Sequence, residues 1–173
     1  PDRDLFKLLE TNEYFKGTPQ SVNTVFQNDF EQDKAYCSTA WPSGGKATCL
    51  NGENQFFGPI TLLVTANCAP WIRVEADFLV QSREWDVWKY AQWIVQFYQG
   101  EKAIKTNLIR IQRHLPVDQV STHLFFDVRV PSEPYDRCTM SIWNAESPQT
   151  LLMDNLKVSC FEECHLEQES GHR

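Results

Sequence analysis

Along most of the chain, hydrophobic residues recur at every second position, the spacing of strands that bury one face. In Trp71 to Val80, Val74, Ala76, Phe78 and Val80 alternate with Arg73, Glu75, Asp77 and Leu79. Lys89 to Tyr98 sets Ala91, Trp93, Val95 and Phe97 against Tyr90, Gln92, Ile94, Gln96 and Tyr98. It then runs into Gln99-Gly100, a hairpin signal. His123 to Val130 alternates most cleanly, with Leu124, Phe126, Val128 and Val130 inward and His123, Phe125, Asp127 and Arg129 outward, until Pro131 and Pro134 stop it. Further strands are expected over Val25 to Tyr36, Ile60 to Thr65, Arg137 to Trp143 and Leu151 to Phe161, with a polar loop from Ser38 to Asn54. Only Leu5 to Phe15 has the spacing of a short amphipathic helix, ended near Gly17-Thr18-Pro19.

About eight strands with almost no helix predict an all-β chain folded as an antiparallel sandwich. The expected organisation is a helical extension over 1–22, a sandwich domain over 23–162 and a polar tail over 163–173. A length of 173 residues suits one domain, and 42% hydrophobic with 13% aromatic residues suits a packed core. The net charge of −7 argues against nucleic acid or anionic membrane as partner, since both call for a basic face. The longest uncharged stretch, Asn54 to Ile72, is broken by Gly58, Pro59, Asn67 and Pro70, so it reads as strand, turn and strand, not as a membrane span. The chain opens at Pro1 without methionine or leader, which reads as a mature or excised piece.

Six cysteines, at 37, 49, 68, 138, 160 and 164, form no zinc pattern. They are read as disulfides or buried thiols, with Cys37 and Cys49 bracketing one loop as the first pair to test. Two acidic sites stand out: Asn28-Asp29-Phe30-Glu31 and Asp154-Asn155 place carboxylates where the strand pattern would bury them. A buried carboxylate is unfavourable unless paired or metal-bound.

In order and spacing, three segments resemble the jelly-roll carbohydrate-binding modules of the galactose-binding-like group. They are Asn28-Asp29-Phe30-Glu31, the small-residue loop Ser43-Gly44-Gly45-Lys46-Ala47, and the closing strand Leu152-Met153-Asp154-Asn155-Leu156-Lys157-Val158. The resemblance spans about Val25 to Glu162. It implies a jelly roll whose first and last strands lie side by side around a structural calcium. Carried over, Glu31 and Asp154 become side-chain ligands, Asp29 a third, and the loop at Lys46 a source of a main-chain carbonyl, the hard oxygen set that calcium prefers. Turn capping by the same carboxylates is the alternative. The resemblance further implies a glycan partner on one sheet face or at the loop rim. Residues of suitable type are Arg73, Gln92, Gln96, Tyr98, Asp127, Arg129 and Trp143 on outward strand positions, with Trp85 and Trp88 adding aromatic surface; cross-strand charge pairs are the competing reading.

Catalysis is not expected. Glu84-Trp85-Asp86-Val87-Trp88-Lys89 faintly resembles the E-x-D-x-x-E signature of jelly-roll glucanases, but Lys89 stands where the second glutamate is needed. The sequence therefore predicts a non-catalytic carbohydrate-binding module of a larger extracytoplasmic or membrane-anchored protein, with fusion to further domains. The alternatives are a protein-interaction or spacer sandwich and, third, a glycan hydrolase or lyase.

Overall fold

The computed structural model describes residues 13, 15–32, 41–42, 44–64 and 70–163. Among these, nine strands follow one another: β1 (Gln20–Asn28), β2 (Thr48–Leu50), β3 (Phe56–Leu62), β4 (Trp71–Val80), β5 (Gln92–Gln99), β6 (Lys102–Arg110), β7 (Thr122–Arg129), β8 (Arg137–Trp143) and β9 (Leu151–Glu162). Two 3-10 turns, Val87–Lys89 and Ile111–His114, are the only helical pieces among the described residues. No helix among them is long and apolar enough to cross a membrane.

All pairings are antiparallel. A five-stranded sheet runs β1-β9-β4-β7, with β2 also pairing β9; a four-stranded sheet runs β3-β8-β5-β6. The protein is an all-β antiparallel sandwich. Its core forms where the inward sets of the two sheets meet. Trp93 of β5 reaches across to Phe78 of β4 and Phe126 of β7, edge to face at centroid distances of 4.9 and 5.1 Å. Large rings supply most of the buried apolar area per residue, and such edge-on geometry adds about 0.5–1.5 kcal/mol per pair.

Strands β4 and β8 keep the bounds their alternation predicts. β1 already begins at Gln20, and β2 lies inside the segment read as a loop. β6 is a strand that the alternation does not announce. Most of the helix expected over Leu5 to Phe15 lies outside the described residues. Its described part is not helical: Glu13 forms an isolated antiparallel bridge with Asp127. Cys49 and Cys160 are disulfide-bonded, whereas Cys138 is a buried free thiol that burial pushes up to about 12. Cys37, Cys68 and Cys164 lie outside the described residues.

Candidate functional site

Alternation along β5 and β8 turns one set of side chains away from the core, and strand register sets these into rows. Phe56, Trp143, Gln92 and Arg110 form one row across β3, β8, β5 and β6. Ser141, Ile94 and Leu108 form the next, then Thr61, Thr139, Gln96 and Thr106, then Arg137, Tyr98 and Ala103. From Gln92 to Tyr98 the face extends about 20 Å at the usual strand rise.

Aromatic rings gather at one end of this face. Phe56, 65% exposed, lies nearly parallel to Trp143 at 6.4 Å. Trp88, on the 3-10 turn, lies 5.8 Å from the Arg110 guanidinium. At the other end Arg137 sits over the Tyr98 ring at 4.3 Å. Between them runs a polar chain: the Tyr98 hydroxyl donates to Gln96 Oε1 at 2.7 Å, and Gln96 Nε2 donates to Thr106 Oγ1 at 3.3 Å. The face thus offers flat apolar surfaces beside oriented amides and hydroxyls, and no carboxylate lies in its rows.

The structure therefore brings together Gln92, Gln96, Tyr98 and Trp143, with Trp88 at their edge. Arg73, Asp127 and Arg129 lie on the outward face of the other sheet. There Arg73 holds Asp127 through two bonds, Nε to Oδ1 at 2.8 Å and Nη2 to Oδ2 at 3.1 Å, with Asp127 buried. The Arg129 amide donates to Glu13 Oε2 at 2.7 Å, and its guanidinium reaches Glu163 Oε1 at 3.3 Å. These three residues serve internal pairing. Trp85 is 82% exposed beyond the end of β4, with Arg83 at 5.6 Å. Phe56, Arg110 and Arg137 join the face without having been singled out from sequence. The outward alternation of β8 points to Arg137, whereas Phe56 depends on a pairing that only the fold reveals.

The acidic sites meet on the outward face of the five-stranded sheet. β1 and β2 both pair with β9, ending at Leu156 and Met153, so Asp154 and Asn155 fall in the gap between them. Asn155 has φ 51° and sits at the register shift opposite β4, a β-bulge. Asp154 is buried, but Glu31 and Asp29 are exposed, contrary to the expectation of burial at both sites. Buried Phe30, held by the Asn28 side chain at 2.8 Å, anchors this segment to the core. Glu31 Oε1 accepts from the Lys46 amide at 2.9 Å, and the preceding Gly45 has φ 83°, a left-handed conformation that favours glycine.

Burial raises the Asp154 carboxyl, the Asn155 amide opposes this, and the charges of Glu31, Asp77 and Asp29 raise it further. These carboxylates therefore share one electrostatic neighbourhood. Asp77 is committed to His123 Nδ1 at 2.8 Å and to the Asn155 side chain at 2.9 Å, and Asp29 to the Glu31 amide at 3.2 Å. Among the described residues no group of three or more His, Cys, Asp or Glu is arranged to hold a metal ion. Asp154 and Glu31 offer carboxylate oxygens, the donor type that a hard cation takes.

The segment resembling a glucanase signature is not on a strand. Glu84 is buried, accepting from the Ser147 hydroxyl and, at 3.0 Å, from the Asp86 amide; Asp86 caps the 3-10 turn through the Trp88 amide at 3.0 Å. Both carboxylates shape the turn.

No family model matches the chain, and no curated protein matches it either. Similar solved structures include a "Family 16 Carbohydrate Binding Module-2" at 16% identity, TM-score 0.46, covering 69% of this chain and 79% of that one. The CBM22-1 xylan-binding domain from Paenibacillus barcinonensis Xyn10C is similar at 10% identity, TM-score 0.46, covering 84% and 99%. The Stig cyclase Fisc from Fischerella sp. TAU is similar at 13% identity, TM-score 0.44, covering 86% and 80%. Two of these are described as carbohydrate-binding domains. Likenesses this distant assign neither ligand nor activity to this chain.

Proposed function

We propose that this domain is a non-catalytic carbohydrate-binding module whose glycan lies along the outward face of the four-stranded sheet. The observation that carries the proposal is the composition of that face: exposed Phe56 beside Trp143 at one end, Tyr98 at the other, and the Gln92 and Gln96 amides between. Aromatic planes take the apolar face of a sugar ring, and amides fix its hydroxyls. A structural calcium at Asp154 and Glu31 would pin the opening segment to β9, neutralising charges that otherwise repel. Such a module serves a larger extracytoplasmic or membrane-anchored protein; the disulfides at Cys49 and Cys160 support an oxidising compartment. Glu84 and Asp86, engaged in turn geometry, leave the chain without a free pair of catalytic carboxylates in that segment.

Affinity electrophoresis on a panel of soluble polysaccharides tests the proposal. Retardation by at least one glycan is expected, weakened about tenfold or more in Trp143→Ala with little change in melting temperature. A silent panel, or retardation that Trp143→Ala leaves intact, would instead favour a protein-interaction or spacer sandwich.

A further inference from the structure

The outward face of the four-stranded sheet carries cations and no acid. Its rows hold aromatic, aliphatic, hydroxyl and amide side chains with two arginines, Arg110 and Arg137, although the whole chain has a net charge of −7. The two arginines differ in what they hold. Arg110 is buried and donates from Nη1 to the Val87 carbonyl at 3.3 Å, so its place is structural. Arg137 is exposed, its guanidinium over the Tyr98 ring at 4.3 Å.

Among the described residues, no hydrogen bond or ion pair takes up the Arg137 guanidinium. Arg73, Arg83 and Arg129, by contrast, each lie against an acid of this chain: Asp127, Asp118 and Glu163. Asp136, its neighbour in sequence, is engaged elsewhere, its Oδ2 accepting from the Gly100 amide at 2.7 Å. Contact with a ring occupies the flat face of a guanidinium and leaves its in-plane N–H groups free, the fork that matches a carboxylate. The ring beneath is itself held, because Tyr98 donates to Gln96 and Gln96 to Thr106. Arg137 is thus a seated, solvent-facing cation on a face that offers an anion no repulsion.

We propose that the glycan of this face carries a uronate, its carboxylate on the Arg137 guanidinium and its neutral rings extending toward Phe56 and Trp143. The inference rests on the glycan reading above and names the class of glycan. The net charge of −7 opposes a polymer charged at every residue, and the face supplies one free guanidinium. Both favour a mainly neutral chain bearing isolated uronates over a polyuronate.

Affinity electrophoresis tests this with glucuronoxylan and gum arabic, each beside its own carboxyl-reduced form, and with neutral glucans, polygalacturonate and carrageenan. At least one native uronate-bearing polymer should retard the protein, and reduction of its uronates to alcohols should weaken it about tenfold. Arg137→Gln should lose about tenfold on the native polymer and bind native and reduced forms alike, with an unchanged melting temperature because the side chain is exposed. Trp143→Ala should weaken both forms together. Three results would overturn the uronate and leave the glycan reading in place: equal retardation by native and reduced polymers, stronger retardation by a neutral, fully uronic or sulfated glycan, or an Arg137→Gln variant that still separates native from reduced. Silence across the whole panel would end both readings.

Discussion

Asn155 adopts φ 51°, the left-handed region that asparagine tolerates better than most residues, and this bulge keeps both ends of β9 in register with β4. Met153 and Leu156 both face the core as a result, while Asp154 turns outward toward Asp77, beneath the segment bearing Glu31. Burial first, then the charges of Glu31, Asp77 and Asp29, raise the Asp154 carboxyl above its ordinary 3.8. An acid whose folded value is raised binds its proton more tightly in the folded state. Stability is therefore lost as pH climbs from 3.8 through the raised value, and the loss is complete above it. In EDTA at neutral pH, Asp154→Asn should accordingly melt above the wild type, and the gap should close below pH 3.8. Calcium should raise the melting temperature of the wild type and leave the variant unmoved. A variant that melts lower than wild type in EDTA at neutral pH would contradict the repulsion argument.

β6 shows where sequence patterns stop being informative. Its inward register positions, opposite Val95 and Phe97, hold Asn107 and Lys105, and a register shift at Tyr98 breaks the alternation near its start. Lys105 tolerates that place because its ammonium reaches Glu13 Oε1 at 2.7 Å and the Arg129 carbonyl at 2.6 Å. Glu13, also accepting from the Arg129 amide, thus ties the β6 edge of one sheet to the β7 edge of the other. None of this is local, so no periodicity could announce it, whereas β4 and β8 fill their inward positions with apolar residues and were legible throughout. The same limit divides the candidate site. Gln92, Gln96, Tyr98 and Trp143 were legible as outward positions, but which strands share a sheet depends on long-range pairing. Arg73, Asp127 and Arg129 therefore went with them until the topology separated the two faces. Burial acts to raise the Glu13 carboxyl, yet its bonds to Lys105 and the Arg129 amide outweigh this and hold it below the ordinary 4.5. Stability from a lowered acid is present above that ordinary value and disappears as pH falls through the folded one. Glu13→Gln should therefore lose about 1 kcal/mol at neutral pH, a modest figure because the site is partly solvated. Its melting temperature should also fall less steeply than that of the wild type as pH drops below 4.5. Parallel acid profiles for the two proteins would remove Glu13 as the clasp between the sheets.

Because Trp93 links the sheets through Phe78 and Phe126, the sandwich carries two outward surfaces on one shared core. The carboxylates of Asp154 and Glu31 lie on one surface, and Trp143, Gln96 and Tyr98 on the other. A cation bound only by the folded state raises stability by mass action, about 2.7 kcal/mol at a hundred times its Kd, or roughly 5–10 °C for a chain of this size. It does so without touching the opposite sheet. Calcium should consequently shift the melting temperature while leaving glycan affinity unchanged, provided both are measured well below the transition. Isothermal titration of a glycan retained in the electrophoresis panel, with calcium and with EDTA, decides the matter. Equal affinities would support a cation that acts on the fold alone. A loss of tenfold or more on chelation, with the protein still folded by circular dichroism, would mean that the cation belongs to the binding surface, and the glycan would then have to be sought near Asp154.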